Sequence, residues 1–272
     1  MTYAAYKTSR HWCLVAQCWL LLLALLSGGP LVAQNTRLTD RNTIGWLTNT
    51  TTLQFADRWS GHLEYQFRRD NFLQSPQQNL FRTGVNYRVS DRLTLRVGYA
   101  WVETFAYGNY PIQAAGRTFP EHRLYQMATL TNPVGRVDIS HRFMLEQRWI
   151  GRFLTPESPR PDETVYVNRL RYMVRGQLPL SKVSSSAGGK TAYVAAYNEV
   201  FIGFGENVNE NVFDQNRLGL LVGYRASPTF RVEGGFLQQL VQLPREINGR
   251  NVFQYNNGFI LNTVVNLDLR RQ

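Results

Sequence analysis

Cysteine is the first thing the chain has little of: Cys13 and Cys18 are its only two, both in an N-terminal segment with the features of a leader. A mature chain without them excludes disulfides, a thiol nucleophile and cysteine metal sites. Lysine is nearly as scarce, confined to Lys7, Lys182 and Lys190, so almost all positive charge is arginine. Long apolar runs are missing as well. A helical membrane protein repeats stretches of about 20 apolar residues, whereas here one shorter run stands alone, from Leu14 to Leu26.

That run reads as a secretory signal peptide. Lys7 and Arg10 precede it, the breaker Ser27-Gly28-Gly29-Pro30 follows, and Leu31-Val32-Ala33 supplies a small residue before the cut. Cleavage is expected between Ala33 and Gln34, leaving 34–272 as a single domain. Loss of Lys7 and Arg10 lowers the formal charge from +11 to +9. The remaining basic residues are spread singly along the chain, and export together with that spacing excludes nucleic acid as a partner. Arginine in place of lysine suits fixed, planar pairing with carboxylates.

What is present is alternation. Hydrophobic residues make up 43% and charged residues 18%, the mixture expected when every strand has one apolar and one polar face. Period-two segments run over Ile44–Ala56, Ser60–Arg69, Gln78–Val89, Leu93–Thr104, Glu121–Thr131, Arg136–Ile150, Thr164–Leu178, Thr191–Phe204, Gln215–Ala226, Phe230–Gln242 and Phe259–Arg270. Their lengths match tilted membrane-crossing strands. Parity survives the turns: Phe81 and Val85 share a face with Trp101 and Val97 across Ser90-Asp91-Arg92. Leu220, Val222 and Tyr224 likewise lie across from Phe236, Gly234 and Val232. A one-residue slip would invert every face.

Short connections at 57–59, 90–92, 132–135 and 227–229 interleave with longer ones at 70–77, 105–120, 151–163, 205–214 and 243–252. This is the pattern of short periplasmic turns and long external loops. The Pro179–Lys190 connection, with its Ser184-Ser185-Ser186-Ala187-Gly188-Gly189 run, is read as a flexible turn. The fold class is therefore all-β, an antiparallel up-and-down transmembrane β-barrel in a Gram-negative-type outer membrane. Even strand numbers are the bacterial rule, so twelve strands are expected within a range of ten to twelve, Thr36–Asn42 supplying the extra one. Trp46, Trp59, Tyr65, Tyr99, Trp101, Trp149, Tyr166, Tyr172 and Tyr224 are expected as interfacial aromatics.

Several stretches resemble a known family: Leu63-Glu64-Tyr65-Gln66-Phe67-Arg68, Arg82-Thr83-Gly84-Val85-Asn86-Tyr87-Arg88, Glu121-His122-Arg123-Leu124-Tyr125-Gln126, Asn168-Arg169-Leu170-Arg171-Tyr172, Tyr197-Asn198-Glu199-Val200-Phe201 and Asn216-Arg217-Leu218-Gly219-Leu220. In this order they are similar to domain of unknown function 2490, a Bacteroidota outer-membrane barrel family. The resemblance implies a barrel and an outer-membrane location, with no activity to carry over.

With the apolar face outward, the enclosed face carries an ion network of Glu64, Arg82, Arg88, Arg96, Arg123, Arg142, Glu146, Arg169, Arg171, Glu199, Arg217, Arg231 and Glu233. Arg68, Asp138 and Arg175 share the same parity. Arg123 is expected opposite Met144 and diagonal to Glu146, and Glu233 diagonal to Arg225. Such a network is either a packing plug or the lining of a narrow, anion-biased pore.

Parity alone leaves open a soluble exported lipocalin-like binding barrel, whose apolar face would line a ligand. A lipid-modifying barrel enzyme is the other alternative, requiring a serine beside His62, His122 or His141 near an interface. His141 follows Ser140, but neighbours on a strand point to opposite faces, so no enzyme is expected. No cofactor or metal is expected either, since no pair of histidines has ligand spacing. Outer-membrane lipid and the barrel-insertion machinery are the expected partners. N-terminal sequencing of the exported protein checks the first boundary: the mature chain is expected to start at Gln34, and an intact Met1 would contradict it.

Overall fold

The computed structural model describes residues 37–180, 190–208 and 211–270. The expected signal segment, its expected cleavage point between Ala33 and Gln34, and the Ser184–Gly189 run lie outside the described residues. Among the described residues every regular element is a strand: β1 (Leu38–Gln54), β2 (Trp59–Asp70), β3 (Ser75–Arg88), β4 (Leu93–Thr104), β5 (Phe119–Val134), β6 (Val137–Arg152), β7 (Glu163–Pro179), β8 (Thr191–Phe204), β9 (Phe213–Arg225), β10 (Phe230–Ile247) and β11 (Arg250–Asp268). Each pairs with its sequence neighbours, and β1 with β11 closes the barrel.

Eleven strands form, not twelve. The residues assigned to an extra strand, from Leu38 to Asn42, extend β1 instead. An odd meander brings its first and last strands round pointing the same way, so the closing pair must be parallel. It is, in register from Leu38↔Val252 to Gln54↔Asp268. Parallel pairing is slightly weaker per residue, and this seam compensates by length and by side-chain bonds across it. Asn42 Nδ2 donates to Asn256 Oδ1 at 2.9 Å and Asn49 Nδ2 to Thr263 Oγ1 at 2.9 Å. The backbones approach so closely at Ile44↔Gly258 that a Cβ on Gly258 would lie 1.7 Å from the Ile44 carbonyl oxygen. Only glycine fits there.

The expected faces are observed. Phe81 pairs with Trp101, Val85 with Val97, and Phe236 with Leu220. Leu63, Phe81, Val97, Leu124, Val222 and Leu261 are exposed on the outside, while Glu64, Arg82, Arg123, Glu146, Arg171 and Glu199 are buried within. Outer aromatics gather at both ends. Trp59 packs on Tyr87 at 4.7 Å towards the short-turn end, and Trp149 on Tyr166 at 5.3 Å towards the loop end.

Trp46 departs from the expected girdle. It is 2% exposed and faces inward, because it registers opposite the inward Arg68; the start of β1 at Leu38, six residues earlier than the sequence pattern indicated, also carries it away from the strand end. Two connections are also shorter than expected. β10 and β11 join through Asn248 and Gly249, both with positive φ (51° and 67°), as an Asn-Gly hairpin turn requires. β2 and β3 join through 71–74, with Asn71, Phe72 and Leu73 all left-handed. Phe72 is held there by its ring against Phe259 at 5.2 Å.

At the β5–β6 turn the strands continue to Val134↔Val137, so Arg123 faces Arg148 and Met127 faces Met144. The expected register was four residues short, an even slip that preserves both faces. The seam provides a test of closure. Gly258→Val is expected to abolish the compact, heat-modifiable gel species, whereas Gly176→Ala, whose new methyl would meet only Val137 at 3.7 Å, should leave it. Normal folding of Gly258→Val would contradict the observed seam.

Candidate functional site

Alternate residues of β5 to β9 point into the barrel and bring carboxylates and guanidiniums together at mid-height. Glu146 of β6 is fully buried. It registers opposite Arg169 of β7 and diagonal to Arg171. Its Oε2 accepts from Arg169 Nε at 2.8 Å and Nη2 at 2.6 Å, and its Oε1 from Arg171 Nη1 at 2.8 Å. Arg123 Nη1 stands 3.9 Å away. Glu199 of β8 takes the other side of Arg171 at 2.7 Å and Arg142 at 2.8 Å. Phe201, also fully buried, is ringed by the guanidiniums of Arg171, Arg217 and Arg169 at 4.5, 4.6 and 5.2 Å from its centroid.

Three members of this network were absent from the sequence-derived set. Glu121 binds Arg123 at 2.7 Å and Arg148 at 2.5 Å, and Asp214 accepts from Arg169 at 2.6 Å. Parity along β5 and β6 carried the signal for Glu121 and Arg148, which continue the inward rows of Arg123 and Glu146. Asp214 has no such signal, because a β-bulge between Phe201 and Ile202 shifts the register beside it and re-aims one side chain.

On the opposite wall Glu64 accepts from Arg82 at 2.9 Å and contacts buried His62 at 3.2 Å. Glu233 is bound by Arg175 at 2.7 Å and by the Tyr193 hydroxyl at 2.8 Å.

At the loop end, the connection from 105 to 118 bends into the mouth. The Tyr107 hydroxyl donates to Gln254 Oε1 at 2.8 Å and accepts from Asn256 at 3.2 Å. Burial pushes the Tyr107 phenol up, keeping it a neutral donor. Buried Asp40 accepts from the Asn109 backbone N–H at 3.1 Å, and Arg245 donates to the Pro111 carbonyl at 2.8 Å. Farther along, Gln113 donates to the Gly151 carbonyl at 2.7 Å and accepts from the Phe153 N–H at 3.0 Å. Phe119, Phe153 and Ala115 pack there with Ile112 and Ile150. The loop is thus tied to β1, β10 and β11 on one side and to the end of β6 on the other. Between it and the arginines is a cavity of about 180 Å³ lined by both.

With this geometry in view, comparison with known proteins gives one family. Protein of unknown function (DUF2490) matches residues 43–250. The chain belongs to this family. No curated protein matches it. Among solved structures, this DUF2490 barrel is similar to one titled NanC porin in a rhombohedral crystal form, at 11% identity and a TM-score of 0.42, over 77% of this chain and 92% of that one.

Several expected positions fall elsewhere in the DUF2490 barrel. Arg88 is exposed at the short-turn rim, where it donates to the Asp57 carbonyl at 2.5 Å. Asp138 is exposed at the same end. Arg96 faces inward but bonds the neutral Asn86 at 2.5 Å. Arg231 makes no ion pair among the described residues, and its Nε is buried without a partner. Glu233 registers opposite Gly223 and so lies diagonal to Arg225 as expected, while its bond is to Arg175 at 2.7 Å. His62, expected at an interface or loop, is 2% exposed in the interior. His122 and His141 face outward and bond the hydroxyls of Tyr99 at 2.5 Å and Tyr172 at 2.9 Å.

A buried charge stripped of its partner costs about 3–5 kcal/mol, whereas an exposed pair contributes roughly 1 kcal/mol or less. Glu146→Ala is accordingly expected to lower stability by about 3–5 kcal/mol in urea unfolding from lipid vesicles. Glu163→Ala, which removes the exposed pair with Arg152 at 2.8 Å, should change it by less than about 1 kcal/mol. Equal effects would contradict the assignment.

Proposed function

We propose that the mature chain is an outer-membrane β-barrel, surrounded by lipid and placed there by the barrel-insertion machinery, whose interior is plugged at mid-height by its ion network. The observation that carries the plug is Glu146, which has no exposed surface while three arginines from two other strands converge on it. A water-filled pore would leave such a carboxylate hydrated. Ile44, Leu237 and Tyr193 are similarly sealed on the far wall, where Tyr193 lies in an apolar interior cluster with Trp46 and Leu221.

The membrane reading is supported by the outer face, where Val97 and Val222 are 60% and 63% exposed. Contiguous exposed apolar surface of this kind is not kept in water. The charged interior also counts against a lipocalin-like barrel, whose apolar residues line the ligand. We assign no catalytic step: His122 and His141 each bond a tyrosine hydroxyl, and His62 contacts Glu64 inside the barrel. Interior arginines outnumber carboxylates, which biases any residual path towards anions.

Planar-bilayer recording of the purified mature protein tests the plug. Wild type is expected to give no unitary conductance steps, and Glu146→Ala with Glu199→Ala is expected to produce them. Anion-selective steps from the wild type would replace the plug with a narrow pore.

A further inference from the structure

The cavity under the mouth loop has six arginines along its lining, and their partners differ; the exposed Arg152 pairs with Glu163 at 2.8 Å. Arg123 and Arg148 are bound to Glu121, and Arg169 to Glu146 and Asp214. Arg68 and Arg217 are not neutralised in this way. Arg68, 5% exposed, bonds only the amide oxygens of Gln66 and Gln78. Arg217, 9% exposed, has one long contact to Gln215 Oε1 at 3.4 Å and lies 3.9 Å from Glu199. The Arg217 Nε, a strong donor, has no partner at all.

Both guanidiniums stand over the Trp46 ring, at 4.0 and 4.9 Å from its centroid. An indole face offsets part of a cation's desolvation, but it accepts no N–H bond. Two buried cations bordering one cavity and held mainly by neutral groups form a site whose missing component is an anion.

We infer that this cavity binds a small organic anion, with a carboxylate-type head group on Arg68 and Arg217 and an apolar body against the loop-side wall. The wall supports the second half of the assignment. Ile112 from the mouth loop, Phe119 from the start of β5, Ile150 and Val167 from β6 and β7, and Leu243 from β10 line the same space. A water needs about 10–15 Å³ of such space, so about 180 Å³ admits roughly a dozen or more water-sized heavy atoms. That is the size of a compact aryl or short acyl acid. The inference goes beyond the plug and does not depend on it, since the cavity is on the loop side of the network and a ligand could occupy it whether or not ions cross.

Benzoate is the probe, measured by titration calorimetry with the full mature chain in detergent micelles. Benzamide serves as its uncharged isostere and inorganic phosphate as a head group without a body. Saturable benzoate binding is expected, with benzamide and phosphate each about tenfold weaker or more, the usual scale for losing a charged hydrogen bond. R68Q and R217Q should each weaken benzoate by about tenfold or more. Because neither arginine neutralises an acid at close range, both variants should still fold, which heat-modifiable gel migration checks.

The wild-type comparison stands without any variant. No benzoate binding, or equal binding of benzoate and benzamide, would overturn the site. Phosphate binding as tightly as benzoate would reduce it to a bare-ion site and overturn the assignment of an organic ligand. Unchanged benzoate affinity in both folded variants would also overturn it.

Discussion

A carboxylate withdrawn from water is tolerable only when several donors meet it at once, and Glu146 imposes that condition on the whole barrel. Its neighbours must be arginines, since a planar fork can hold one acid while reaching another, as Arg171 does between Glu146 and Glu199. Those arginines must come from adjacent strands in fixed register, because a one-residue slip would move them to the outer surface. The use of arginine in the network and the strand registers around it therefore follow from a single electrostatic requirement.

Closure by an odd number of strands adds a second constraint. The parallel seam is long, tied by asparagines, and closed tightly enough at Gly258 to exclude any side chain. It also places Trp46 inside the barrel beside Arg68, so the way the barrel closes provides the aromatic surface over which the two cavity cations without a close carboxylate, Arg68 and Arg217, stand. The mouth loop completes this arrangement by bridging β10 and β11 to the end of β6.

Much of the fold was legible because alternation is a local signal that survives errors in turn length. The β3–β4 and β9–β10 pairings were readable to the residue, and the β5–β6 register was wrong by an even number that spared the faces. The Asn248-Gly249 turn carries a hairpin signature in plain view, although the alternation around it points to a longer loop over 243–252. The inward position of Asp214 depends on a bulge, and the packing of Gln113 against Gly151 joins segments with no local trace of their contact. The network's central members were legible from parity. Its mouth was not, because loops follow tertiary packing.

The barrel stands or falls on which way alternate side chains face, and the absence of cysteine from the described residues makes that measurable without background. Single cysteines placed successively from 215 to 225 along β9, spin-labelled in lipid bilayers, should alternate. Labels at Leu218, Leu220 and Val222 should collide readily with oxygen and poorly with a water-soluble nickel chelate, while one at the inward Leu221 should be shielded from both. Nickel collisions at Leu218, Leu220 and Val222, or no period of two, would contradict the arrangement.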